Sequence, residues 1–246
     1  MARVTKEAEV RRDELLDVAL DLCASVGFEA MSVEQVTNAA GVAKGTFYHY
    51  FVSKQDLLAQ LVGRFGDELF GRLETEMSGV EGDALDRFRA LIRIAGTFKL
   101  ERMNSTMAYL PFLYKEENYT LRHKLFSMWL ERLRPTLLEI VRMGSTDGTF
   151  DVDDPEGATT VLLSIWIDGG NRLWEQAIRS EDYADLMMAG GEAISVAQER
   201  ILGAPAGSLN VMGQLGPVAI ASVRAALEEQ GKAFLGQDSN VQGGLS

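Results

Sequence analysis

The chain has 246 residues, of which 46% are hydrophobic and 24% charged, and a formal net charge of −12. A single cysteine, Cys23, excludes an internal disulfide framework, and no run approaches the ~18 apolar residues that suggest a membrane span. Two histidines, one cysteine and no nucleophile-elbow, zinc-protease, phosphate-loop or dinucleotide-binding pattern leave no catalytic residue, metal or cofactor to expect.

Residues 1–9 are polar and read as a mobile arm. From Arg11 to Val26 the apolar residues Leu15, Leu16, Ala19, Leu20, Cys23 and Ala24 repeat at helical spacing, and Gly27 ends the helix. Ser32 is an N-cap, and Gln35 three residues later completes a capping-box pattern. Gly41 breaks that short helix, and a second one follows from Ala43 to Tyr50. Helix, Gly-containing turn, helix is the pattern of a helix-turn-helix unit. Phe47 and Phe51 read as core anchors. Lys44, Thr46, Tyr48, His49 and Tyr50 crowd a helix of about two turns. A helix lying in a DNA groove has a use for that density of aromatic and hydrogen-bonding groups. Lysine and histidine would serve phosphates, while Thr46 and nearby backbone would reach base edges.

Ser53 caps a long helix to about Met77, striped by Leu57, Leu58, Leu61, Val62, Phe65, Leu69, Phe70 and Leu73. Residues 78–82 are a break. Asp83 caps a helix over 84–102. A helical piece at 104–115 contains Pro111, which should kink it or begin a new turn. Asn118 caps a helix to about Met143, with a bend suggested at Pro135. Asp154 and Pro155 read as N-cap and first position of a helix over 155–179. Another helix spans 182–202. Residues 203–209 read as a linker, 217–230 as one more amphipathic helix, and 236–246 as disordered. The expected fold is all-α: a helix-turn-helix domain over 1–52, a larger helical domain over 53–203 and an extension over 204–246.

The acidity lies mainly beyond residue 60. A local basic patch on an acidic protein can still bind phosphates, and the acidic body would discourage loose non-specific binding.

The stretch from Ala39 to Phe51, AAGVAKGTFYHYF, with Ser53-Lys54 and Leu57-Leu58, resembles the DNA-binding domain of TetR-family transcriptional regulators. The upstream stretch DELLDVALDLCASVGFEAMSVEQV fits the same pattern. Over the remaining residues the likeness is one of layout. A single cysteine and an N-terminal stretch without an apolar core lead to the expectation of a cytoplasmic protein. The resemblance implies a homodimer of nine or more helices per subunit, whose last long helices pack as a four-helix interface. It also implies a ligand-responsive regulator of double-stranded operator DNA, more a repressor than an activator, released by a small effector in the body. Lys44, Gly45 and Thr46 would meet the DNA, with Gly45 allowing close backbone approach. Tyr48, His49 and Lys54 would contact phosphates, and Ser32 belongs to the same DNA-binding set. Ala43 departs from the family's usual Ser or Thr, and Glu34 is a poor phosphate neighbour.

The body is rich in aromatic residues and methionine. Phe98, Met103, Met107, Tyr109, Phe112, Trp129, Trp166, Asn171 and Trp174 form the expected lining of a site for a hydrophobic or aromatic effector. Ordinary packing is the competing reading for each aromatic. A second reading of the whole chain is a helical small-molecule- or partner-binding protein with a weakened DNA-binding unit, motivated by Ala43, Glu34 and the acidity.

Overall fold

A computed structural model describes residues 2–102, 109–210 and 217–242, and no strand occurs among them. The helices are α1 (Ala2–Val26), α2 (Val33–Ala39), α3 (Lys44–Tyr50), α4 (Lys54–Met77), α5 (Ala84–Glu101), α6 (Leu110–Leu113), α7 (Tyr119–Asp147), α8 (Pro155–Ser164), α9 (Gly170–Ala177), α10 (Tyr183–Leu202) and α11 (Pro217–Gln242). Met103 and Met107 lie outside the described residues.

Local chemistry sets most boundaries. Gly27 and Gly41 follow α1 and α2 with φ of 80° and 65°, a conformation that costs glycine nothing. Ser53 Oγ accepts from the Asp56 amide at 3.0 Å, Asp83 from Asp86 at 3.0 Å and Asp154 from Gly157 at 3.0 Å, so these three expected caps are made, whereas the side-chain amide of Asn118, expected as a cap, donates to the Phe112 carbonyl at 2.8 Å. Pro111 sits in the first turn of α6, where its missing N–H costs little.

Three expectations change. The expected arm is helical from Ala2, because Ala, Glu and Arg are strong helix formers. The expected helix over 155–179 is interrupted by a π-helical turn, Ile165–Gly169, between α8 and α9. α11 runs to Gln242 through the stretch expected to be disordered; Ala225, Ala226, Leu227, Glu228 and Glu229 favour helix, and no proline follows Pro217.

The chain divides into two compact units, Met1–Glu68 with Arg102–Leu125, and Leu69–Glu101 with Phe126–Ser246. The division falls inside α4 and inside α7. In the first unit Leu15, Leu16, Ala19 and Cys23 of α1 are buried, as are Val36 of α2, Phe47 of α3 and Leu57, Leu58 and Leu61 of α4. Burial pushes the Cys23 thiol up to about 11, against a smaller opposing effect of the Lys54 charge, so the thiol is a packing group at neutral pH. In the second unit Phe88, Leu91 and Ile94 of α5, Leu137, Ile140 and Val141 of α7, and Leu162 and Leu163 of α8 are buried. Glu199 of α10 is buried, and its carboxylate accepts from the amides of Gly207 at 2.9 Å and Leu209 at 2.8 Å. The segment after α10 is fixed further by Arg89 of α5, which donates to the Ser208 carbonyl at 2.7 Å.

Candidate DNA-binding surface

The unit that presents α3 is built from its caps inward. Ser32 Oγ accepts from the Gln35 amide at 3.1 Å, and the Ser32 amide donates to Gln35 Oε1 at 2.7 Å. That reciprocal pair satisfies two donors at the start of α2. The turn is closed by the Val42 amide donating to the Thr37 carbonyl at 3.0 Å. Phe47 and Phe51 are both 0% exposed, with ring centroids 5.2 Å apart, and anchor α3 from below.

With Phe47 facing inward, Lys44, Gly45, Tyr48 and His49 are exposed, and Thr46 and Tyr50 are half-buried. Lys44 and Tyr48 stand one turn apart, as do Gly45 and His49, so the four share one outward face. The Tyr48 ring is 51% exposed yet held edge-on against Phe47 at 5.4 Å. His49 packs edge-on against Tyr50 at 4.9 Å. The face is therefore polar, aromatic and preorganised. A Cβ on Gly45 would meet nothing within 4 Å, and its φ is not positive. The fold itself does not need glycine there.

The departures have local explanations. Glu34 is exposed in the first turn of α2, where a carboxylate favours the positive end of the helix dipole. Ala43 is the N-cap of α3 and offers no side-chain cap, so the substitution removes a helix cap as well as a hydroxyl. Lys54 Nζ, expected at a phosphate, lies 3.0 Å from each of the Phe28, Glu29 and Met31 carbonyl oxygens.

The effector residues are dispersed. Tyr109 is buried and Phe112 half-buried in the first unit, where Phe112 packs 4.3 Å from the Phe28 ring. Phe98 is buried in the second unit; Trp129, Trp166, Asn171 and Trp174 are half-buried there. Trp129 lies 5.3 Å from Phe126, Trp166 lies 6.1 Å from Phe88, and Trp174 lies 6.0 Å from Tyr183. A cleft of about 280 Å³, unforeseen in the sequence, is lined by residues of α10, α11 and the turn before α10, including Tyr183, Asp185, Arg224 and Glu228, and by none of the expected effector residues.

The family described as bacterial regulatory proteins, tetR family, matches residues 15–61, the stretch from mid-α1 into α4 that carries this surface. Residues 15–61 are thus a TetR-family DNA-binding region. Among relatives similar to this chain, the HTH-type transcriptional repressor KstR2 of Rhodococcus jostii (strain RHA1) is 29% identical over 147 residues, covering 58% of this chain and 69% of the relative. KstR2 of Mycobacterium tuberculosis (strain ATCC 25618 / H37Rv) is 26% identical, covering 62% and 76%. The crystal structure of RolR in complex with resorcinol superposes with a TM-score of 0.58 at 18% identity, over 87% of this chain and 98% of RolR, which is a likeness of fold. With that region and these relatives, the chain is a DNA-binding transcriptional regulator.

Proposed function

We propose that the chain is a repressor that binds a palindromic operator as a homodimer and leaves it when a small hydrophobic or aromatic effector binds. The carrying observation is the outward face of α3, with Lys44, Tyr48 and His49 exposed above a fully buried Phe47. Lys44, Tyr48 and His49 serve phosphates and fix register; Thr46 and the backbone at Gly45 meet base edges, and Ser32 holds α2 beneath them. Residues 1–52 are the DNA-binding domain, 53–203 the effector and dimerisation domain, and 204–246 a C-terminal extension that carries α11. Repression is supported by the KstR2 relatives, whose names carry that function. The aromatic groups around Trp166 and Trp174 support an apolar or aromatic effector. The effector releases DNA to the extent that it binds the DNA-free conformation more tightly than the DNA-bound one.

The test is a gel-shift titration of purified protein on DNA from its own promoter region against random duplex at moderate salt. Wild type should prefer the promoter, and Lys44→Ala combined with Tyr48→Ala should abolish the retarded band. Equal retardation by the double variant would remove α3 as the recognition helix.

A further inference from the structure

The resemblance assigns Lys54 to a DNA phosphate. From its geometry we infer that Lys54 is a positioning residue that clamps the frame of the helix-turn-helix and makes no contact with DNA. This rests on α3 being the DNA-contacting helix, and the test below separates the two.

An ammonium group has three protons and accepts nothing. The carbonyl oxygens of Phe28, Glu29 and Met31 converge on Lys54 Nζ, each at 3.0 Å. Every proton thus has an acceptor inside the chain. The Phe28 ring covers the same cation, its centroid 4.8 Å from Nζ. Phe28 and Met31 are 2% and 1% exposed, so the turn that supplies the carbonyls is itself fixed. Gly27, at φ 80°, starts that turn, and its carbonyl accepts from the Met31 amide at 3.1 Å. Without the ammonium, three backbone acceptors would lose their donor.

The clamp joins two ends of the recognition unit. Met31 immediately precedes Ser32, which caps α2. Lys54 is the first residue of α4, three positions past the α3 C-cap Phe51. The entry into α2 and the exit from α3 are thereby tied to one point 23 to 26 residues apart in sequence. A phosphate contact would first require Lys54 to leave three charge-assisted hydrogen bonds, and the frame presenting Lys44 and Tyr48 would lose its tie.

The experiment uses the full chain and a duplex selected by wild type from a random pool, with affinity measured from about 50 to 200 mM KCl. Lys44→Ala should lower the slope of log affinity against log salt by about 0.9, the loss of one phosphate contact. Lys54→Arg and Lys54→Met should weaken binding about tenfold or more, with the slope unchanged and helicity intact at the assay temperature. A residue needed only for folding would lower the melting temperature and leave the affinity of the folded protein as it was. Arginine distinguishes the roles further: its planar fork suits a phosphate but not three carbonyls converging on one point. The inference is overturned if Lys54→Arg binds within about twofold of wild type while Lys54→Met loses about 0.9 of slope. It is equally overturned if both variants bind like wild type. Should Lys54→Met not fold, ¹⁵N spectra of the wild-type Lys54 ammonium decide. Its signal should persist unshifted when DNA is added; a shift to a phosphate-bonded position overturns the clamp. If Lys44→Ala leaves the slope unchanged, the reading of α3 fails, and the ammonium spectrum judges Lys54 by itself.

Discussion

Ser32 gives its oxygen to one backbone amide and its own amide to Gln35, so a single residue organises the start of α2. Ser32→Ala removes the acceptor and leaves the Gln35 amide without its cap, which costs about 0.5–2 kcal/mol; Ser32→Gly costs only a few tenths. Urea unfolding should show the midpoint falling for alanine at constant slope and hardly moving for glycine, and equal loss in both would mean the cap carries little. Ser32 and Phe47 were legible because a cap and a helical stripe are written within a few neighbouring residues. The carbonyl contacts of Lys54 were not legible because its partners stand more than twenty residues upstream, and nothing in a lysine after Ser53 signals three carbonyls closing on it. Glu34, a poor phosphate neighbour by sequence, has a sufficient reason in the dipole of α2.

α11 shows the same contrast at the level of an element. Its inward face is Ile220, Val223, Leu227 and Gly231, an i, i+3, i+7, i+11 stripe, half-buried until Gly231, which is buried. That stripe was readable from the sequence. Its destination was not: α11 packs on α10, where a Cβ on Gly231 would stand 2.7 Å from Tyr183 Cβ. Arg224 adds ion pairs to Asp185 at 2.6 Å and Glu228 at 3.1 Å, but these are exposed and screened by solvent, so they contribute little. Two effects of Gly231→Ala oppose each other. Alanine favours helix over glycine by about 1 kcal/mol, whereas the contact with Tyr183 forces α11 away from α10. At 2.7 Å from a backbone-attached carbon the clash wins. Gly231→Ala should therefore speed amide exchange and proteolysis within 217–242; added protection there would show that α11 yields easily. The π-helical turn at Ile165–Gly169 was illegible for another reason: one inserted residue does not disturb a 3.6-residue apolar pattern enough to be seen.

For the whole molecule the question is what covers the second unit's outer face. Val161 of α8 is 48% exposed and Val196 of α10 is 38% exposed, and Ala189 and Ala193 of α10 are also exposed. Read along the chain, Val196 counts as one more apolar residue at helical spacing; only the folded unit shows that it and the two alanines point outward together. Gly190 lies so close to Leu173 of α9 that a Cβ would come within 2.4 Å of Leu173 Cδ1, so the two helices meet without intervening bulk. Small side chains on the outer face let a second copy approach closely, and a two-fold pairing places Ala193 near its own counterpart or its neighbours. A dimer converts the second half-site contact into an intramolecular event, worth 10²–10⁴ in apparent affinity by the general arithmetic of linked sites. Ala193→Arg puts a guanidinium into the proposed seam while staying solvated in the single subunit. Sedimentation should then show one 27.0 kDa chain in place of two, with the melting temperature of the subunit nearly unchanged. Binding to a full palindrome should fall by about 10²–10⁴, while binding to an isolated half-site should stay the same, because α3 is untouched. A variant that remains dimeric and keeps its preference for the full palindrome would place the seam elsewhere on the molecule. A variant that is monomeric yet still prefers the palindrome would show that DNA itself, and not this face, pairs the two subunits.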